Sequence, residues 1–256
     1  MPRHTAISRE LVAEVPVAVV FDGSTAAVML ASPSHIHDFA LGFALTEGFI
    51  TSPADVSGFE EVTHEHGIEA RIWLKHDRSV MVAARRRSMV GPVGCGLCGV
   101  ESLEQAARSV PLVESRASAL TFNDLNTATE LLRRHQPMHD RTHAVHGAGF
   151  LRPGAGIVTA REDVGRHNAL DKLVGALVRR SADPAEGAVV MTSRISVELV
   201  QKCAFARCPI LIAVSAPTAY AVQVAERAGI TLAAFSRGHG FDVFSHPDRL
   251  SPWINH

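Results

Sequence analysis

Two cysteines separated by two residues, each flanked by glycine, stand in the segment Met89-Val-Gly-Pro-Val-Gly-Cys-Gly-Leu-Cys-Gly99. Four glycines and a proline in that stretch rule out a regular helix or strand throughout. Glycine beside each sulfur removes a shielding Cβ and lets the chain swing a thiol outward, which suits an accessible nucleophile. Arg85, Arg86 and Arg87 precede the pair, and positive potential favours thiolate, the form that attacks sulfur. A zinc knuckle is the competing chemistry and would need a second ligand pair, Cys203 with Cys208 or His143 with His146. Cys203 and Cys208, however, occupy positions expected to be core. His64 and His66 alternate on an expected surface hairpin. A redox dithiol is a third reading, although thioredoxin-type pairs sit at a strand-to-helix junction rather than in a glycine-rich connection. Ser193 or Ser215 with His167 and Asp171 would make a hydrolase triad on paper, but no Gly-x-Ser-x-Gly elbow is present. The zinc-deaminase signature is absent as well.

A second set of residues reads as an anion site. Ser193-Arg194-Ile-Ser196, Ser215-Ala-Pro-Thr218 and Ser236-Arg-Gly-His-Gly240 each follow an expected strand. In a sheet with helical crossovers, ligands bind beyond the carboxyl ends of strands. The first two segments lead into helix N-termini, which favour anions. Asp163-Val-Gly-Arg166-His167 opens a further helix, with Asp163 as a candidate cap and a cationic side chain beside it. Of 25 basic residues only Lys75, Lys172 and Lys202 are lysine, and arginine is the better bidentate partner for phosphate.

These residues need elements to hold them. Val15 to Phe21 and Thr25 to Ala31 flank Asp22-Gly23, a hairpin signal. After Pro33, the spacing of Phe39, Phe43, Leu45 and Phe49 predicts a helix. Glu69 to Lys75 and Ser79 to Ala84 read as strands, completing a small α+β unit. The polar stretch from Pro111 to Ser118 is the expected seam, dividing the chain into an N-terminal α+β domain over 1–115, which carries the cysteine loop, and an α/β domain over 116–256. In the latter, Asn123 to His135 reads as a helix. Ala148 to Leu151 and Ile157 to Ala160 read as strands about Arg152-Pro-Gly-Ala-Gly156. Leu170, Leu173, Val174, Leu177 and Val178 mark a helix with one buried face. Strands at 188–192, 210–214 and 230–235 alternate with helices at 197–206 and 219–228, the second closed by Gly229. That alternation predicts right-handed crossovers and a mainly parallel sheet.

Composition sets outer limits. The chain has 256 residues, 46% hydrophobic and 20% charged, which places it among globular proteins. A formal charge of −1 and 5% aromatics give no nucleic-acid footprint. No apolar run reaches membrane-spanning length. Glu10 and Glu14 interrupt what a secretory leader would keep apolar, so no cleaved signal and a cytoplasmic address are expected.

Several blocks together resemble one family. Glu14-Val-Pro-Val-Ala18, Ala40-Leu-Gly-Phe43 with Glu47-Gly48, Gly94-Cys-Gly-Leu-Cys-Gly99, Glu162-Asp-Val-Gly-Arg-His-Asn-Ala-Leu-Asp-Lys172, Ser193-Arg-Ile-Ser196 with Glu198, and Ala213-Val-Ser-Ala-Pro-Thr218 are similar, in order, to the formate dehydrogenase accessory sulfurtransferases, the FdhD family. The likeness implies a sulfur carrier that takes persulfide sulfur from a cysteine desulfurase. It would pass that sulfur to a molybdenum bis-molybdopterin guanine dinucleotide cofactor before the cofactor enters formate dehydrogenase. It places the persulfide on Cys95 with Cys98 as its partner, and the cofactor-binding segment on Phe235, Ser236, Arg237, Gly238, His239 and Gly240. Ser193, Arg194, Ser215, Thr218 and His167 join that set as expected phosphate contacts. A guanine nucleotide would mimic the acceptor, whose pyrophosphates supply the anion. The resemblance also implies a homodimer and a cytidine-deaminase-like C-terminal fold without that enzyme's zinc site, so no permanently bound metal is expected. The Thr142-His-Ala-Val-His146 region and His239 depart from the family pattern. The alternative of another class is a non-catalytic cofactor chaperone whose cysteines form a structural zinc clip.

Overall fold

The computed structural model of the chain describes residues 10–80, 108–114, 120–236 and 240–250. Cys95, Cys98, Arg85 to Arg87 and, in the last loop, Arg237, Gly238 and His239 lie outside the described residues.

The chain opens with the hairpin expected from Asp22-Gly23. β1 (Val15–Phe21) and β2 (Ser24–Ala31) pair antiparallel. Both turn residues have positive φ, 48° and 77°, the geometry that matches the strands' twist. Helix α1 (Ile36–Thr46) follows, then β3 (Val56–His64) and β4 (Gly67–Leu74). The four strands form one sheet in the order β2-β1-β4-β3, with β1 and β4 parallel. Residues 76–80 are helical, not the start of a strand. Arg78 and Ser79 N–H groups both turn back to the Lys75 carbonyl, and five residues of mixed polarity carry too little periodicity to distinguish the two states.

The second part holds α2 (Phe122–Arg133), α3 (Pro137–Thr142), β5 (His146–Arg152), β6 (Gly156–Asp163), α4 (Arg166–Arg179), β7 (Ala188–Met191), α5 (Val197–Phe205), β8 (Ile210–Ala213), α6 (Ala219–Ala228), β9 (Thr231–Ala234) and β10 (Asp242–Ser245). α2 begins with a capping box in which Thr121 Oγ1 accepts from Asp124 N–H and the Asp124 carboxylate accepts from Thr121 N–H. The strands lie in the order β10-β9-β8-β7-β5-β6. β7, β8 and β9 are parallel as expected. The β5 to β6, β5 to β7 and β9 to β10 pairings are antiparallel, so the sheet is mixed rather than mainly parallel. A hairpin inserted beside β7 and a short return strand at the far edge account for the difference.

The faces of this sheet follow the two-residue period of its strands. Val189, Met191, Leu211, Ala213, Leu232 and Ala234 face the core shared with α1, α4, α5, α6 and the first sheet. Ala188, Val190, Ile210, Ile212 and Ala233 face α2 through Leu125, Ala128 and Leu132. α1 therefore lies between the first sheet and α4. Gly42 and Gly175 make that contact possible: a Cβ on Gly42 would lie 1.8 Å from the Asp171 carbonyl oxygen, and one on Gly175 would lie 1.9 Å from that of Asp38.

Candidate functional site

Three loops at the carboxyl ends of β7, β8 and β9 lie side by side. Ile195 N–H donates to Ala216 O (3.1 Å) and Thr218 N–H to Ile195 O (3.0 Å), with a parallel bridge between Ile195 and Pro217. Ser236 N–H reaches Ala213 O at 3.1 Å. The edge thus brings together Ser193, Arg194, Ser215, Thr218, Phe235, Ser236 and Gly240 from segments far apart in sequence. Two helices start on it. α5 is entered through Ser196, and α6 through Thr218, whose hydroxyl accepts from Ala221 N–H at 3.2 Å. Their N-terminal amides and dipoles supply the positive potential that an anion would meet.

Individual side chains divide into presenters and fasteners. Arg194 is exposed on the edge and Ser215 is half-buried. Ser193 is buried and donates to the Arg194 carbonyl at 2.9 Å. Thr218 spends its hydroxyl on the helix cap. Ser236 is fully buried: its Oγ donates to Leu125 O on α2 (2.9 Å), and its own carbonyl accepts from Thr129 Oγ1 (2.8 Å). Its hydroxyl fastens the loop to α2 and does not face outward. Phe235, beside it, has φ 56° and is 44% exposed, a conformation a bulky residue rarely takes. That change of backbone ends β9 at Ala234, one residue short of the expected strand.

α4 starts on the same side of the sheet. Asp163 does not cap it; the N-cap is Gly165, without a side-chain cap. Asp163 is instead a buried junction, accepting from Gly165 N–H (2.8 Å), Asn168 Nδ2 (3.0 Å) and Ser32 N–H (3.0 Å) and pairing with Lys172 Nζ at 2.5 Å. His167, in the first turn, places Nε2 3.5 Å from Ser196 Oγ and 3.9 Å from Glu198 Oε2. Burial, reinforced by Arg166 and Lys202, pushes His167 down to about 4, so the ring is neutral at pH 7. Arg166 Nε and Glu198 Oε2 are sealed from solvent without a hydrogen-bond partner among the described residues.

The triad drawn from Ser193, His167 and Asp171 is not assembled. His167 meets Ser196 and Glu198, while Asp171 is buried one turn deeper, accepting from Thr46 Oγ1 (2.6 Å) and pairing with Lys202 Nζ (2.9 Å). Burial raises Asp171 to about 6 despite Lys202. Lys202 is itself buried, yet Asp171 and Glu47 outweigh the loss of solvent and hold it above its usual value. Glu47 bridges Lys202 (2.7 Å) to Arg108 (3.1 Å). Sequence reasoning missed this cluster. The signal for it was the scarcity of lysine, with Lys202 set among Leu199, Val200, Cys203 and Ala204 on an otherwise apolar face.

Cys203 and Cys208 are fully buried, as expected of core residues. Burial raises both thiols, Cys208 to about 11, which leaves neither suited to binding a metal. Among the described residues no group of three His, Cys, Asp or Glu side chains is placed to hold one.

The protein is of the two-sheet α/β class, with the N-termini of two helices lined along one sheet edge, where backbone amides favour negative charge. Within that class the match is specific, because residues 12–251 fit the FdhD/NarQ family and the chain belongs to it. It is 50% identical over 237 residues to the sulfur carrier protein FdhD of Agrobacterium fabrum, covering 93% of this chain and 88% of the relative. It is 48% identical over 241 residues to that of Cupriavidus necator, covering 94% and 83%. A solved structure assigned as a formate dehydrogenase accessory protein, from Desulfotalea psychrophila, superposes with a TM-score of 0.72 at 24% identity, over 95% of this chain and 91% of the other. That likeness extends to the fold.

Proposed function

We propose that this protein is a sulfurtransferase serving formate dehydrogenase. It would accept sulfur from a cysteine desulfurase as a persulfide on Cys95 and deliver it to a molybdenum bis-molybdopterin guanine dinucleotide cofactor before insertion. The observation that carries the reading is the match to proteins named sulfur carriers, at about half identity across nearly the whole chain, a span that includes the Gly94 to Gly99 motif.

In the first step the Cys95 thiolate attacks the outer sulfur of the donor's persulfide. The sulfur–sulfur bond of the donor breaks and its cysteine leaves as thiolate. In the second, the Cys98 thiolate attacks the Cys95 sulfur, forming a disulfide between the two and expelling the outer sulfur as hydrosulfide to the waiting acceptor. The dithiol supplies the two electrons, and a cellular thiol reductant restores it. Carrying sulfur on protein delivers it to one oriented acceptor, a proximity effect.

The acceptor is a substrate, and the edge suits its chemistry. Arg194 stands exposed beside the α5 N-terminus, with Arg237 belonging to the third loop, and a guanine dinucleotide brings pyrophosphate to both. The metal itself stays with the acceptor. A zinc clip that draws on Cys203 and Cys208 is disfavoured because both are core residues. The protein is further proposed to work as a cytoplasmic homodimer; no helix among the described residues is long and apolar enough to cross a membrane.

The test is to incubate the protein with a desulfurase and cysteine and weigh it intact. One added sulfur atom is expected, absent from Cys95→Ala; equal labelling of that variant would end the carrier assignment. Guanosine diphosphate should bind, and Arg194→Ala should weaken it by about 1.5–3 kcal/mol, the worth of a charged hydrogen bond.

A further inference from the structure

A cleft of about 340 Å³ lies along α6. One wall is a face of that helix. Tyr220, Val224 and Arg227 recur at helical spacing and line up over about two turns, roughly 10 Å of axis. The other wall is Arg108, Ser109 and Val110, at the start of the segment 108–114. That segment is pinned beside the helix where Val113 N–H donates to Ala228 O at 2.8 Å. The described lining shares no residue with the edge formed by Ser193, Arg194, Ser215, Thr218, Phe235, Ser236 and Gly240.

The lining is cationic and, among the described residues, holds no acidic side chain. Arg108 is fixed from behind. Its guanidinium donates to the Glu47 carboxylate (3.1 Å) and to Thr46 O (3.2 Å) and lies 4.6 Å above the Phe205 ring of α5. Arg227 comes from the opposite wall, steadied where its Nε donates to Gln223 O at 3.3 Å. The neighbouring carboxylate of Glu226 is turned to His246, 3.8 Å away. A solvated arginine on a convex helix face needs no ligand. Two guanidiniums facing one concavity repel each other, and an anion between them reverses the sign of that interaction.

Volume and chemistry select the anion. The cleft falls in the size range of small-molecule sites and holds about eleven water volumes at roughly 30 Å³ each, so a bare phosphate would leave most of it to water. An arginine fork from each wall suits the oxygens of one phosphate group. Val110 and Val224 supply an apolar floor, and the Tyr220 ring, 40% exposed, supplies a face on which a flat ring can stack. Among the described lining residues there is no carboxylate or amide side chain to read the edge of a base, and every base has a π-face. We propose that this cleft binds a free nucleoside monophosphate of any base, the phosphate between Arg108 and Arg227 and the base against Tyr220. The site is separate from the edge and does not rest on the sulfur-carrier reading.

Tyr220 is the single tyrosine of the chain and serves as the reporter. The protein is treated with tetranitromethane, with and without nucleotide, and nitration is followed by the mass of the Tyr220 peptide. Adenosine and guanosine monophosphates should protect alike, slowing nitration about ten-fold at about ten times the Kd by mass action, whereas adenosine without phosphate should protect little. Arg227→Gln, a change at an exposed position, should weaken adenosine monophosphate by about 10- to 100-fold, the loss of one charged hydrogen bond. Arg194→Ala, on the edge, should leave protection unchanged. Equilibrium dialysis of the same three proteins with adenosine monophosphate repeats the comparison without the label, and melting confirms that each is folded. Absence of both protection and binding overturns the proposal. So does protection that survives Arg227→Gln, that is lost in Arg194→Ala, that adenosine gives equally, or that guanosine monophosphate alone confers, since the last would mark a base-reading site elsewhere.

Discussion

The contact between α1 and α4 offers the sharpest test of the fold, because backbone there meets backbone. Replacing Gly42 with alanine puts a methyl group 1.8 Å from the Asp171 carbonyl oxygen, 2.6 Å from its carbon and 2.9 Å from Gly175 N. Ordinary contact needs about 3.4 Å or more, so the helices must part by roughly 1.5 Å across a core packed at crystal density. No flexible side-chain end is there to give way. The cost belongs at the upper end of the overpacking range, about 3 kcal/mol or more, and for a chain of this size lowers the melting temperature by about 6–12 °C. Gly154 is the control. It has φ 69°, and a Cβ added to it would meet nothing within 4 Å, so Gly154→Ala should cost only the left-handed penalty of about 1 kcal/mol. Urea and thermal denaturation of both variants and of Gly175→Ala would measure the difference. One separation of the helices relieves both clashes, so Gly42→Ala and Gly175→Ala combined should cost less than their sum. If Gly42→Ala proves no worse than Gly154→Ala, the close approach of α1 and α4 is wrong.

Two further outcomes follow from buried charge. His167 titrates near 4 when folded against 6.5 in the open chain, so as pH falls from about 6.5 toward 4 the unfolded chain takes up the extra proton and stability is lost. His167→Gln should therefore lose less melting temperature than the parent between pH 7 and pH 5. Asp171, raised to about 6 by burial, acts in the opposite sense over that range and cancels in the comparison; equal losses would contradict the placement of His167. Lys172→Met strands the fully buried Asp163 carboxylate and should destabilise by about 3–5 kcal/mol in urea titrations, with Asp163→Asn in the same chain recovering part of the loss.

Local chemistry was legible in the sequence wherever neighbours along the chain decide the outcome. Asp22-Gly23 announced its hairpin, Gly229 closed α6 at φ 69°, and the spacing of Leu170 to Val178 marked α4. Pairing between distant strands was not legible. Nothing in β5 says that it lies antiparallel against β7, because that contact is chosen by the whole sheet, and β10 is four residues of mixed character that only the free edge of β9 orders. The edge itself was readable as loops rich in serine, arginine and glycine. Which hydroxyls face outward was not, since Ser236 is spent on a helix 111 residues earlier. Asp171 stood out only as a member of a triad drawn on paper and Lys202 only as one of three lysines; the fold shows that each is the other's counterion.

Sealing Cys203 and Cys208 inside the sheet's core has a chemical effect beyond packing. A reactive sulfane sulfur in solution attaches to whatever thiolate it meets. With these two protonated and walled off by Val189, Ile210 and their neighbours, the interior is closed to such misplacement. Selectivity of labelling is then enforced by exclusion: the hydrophobic interior decides which sulfur atoms of the chain stay out of the traffic.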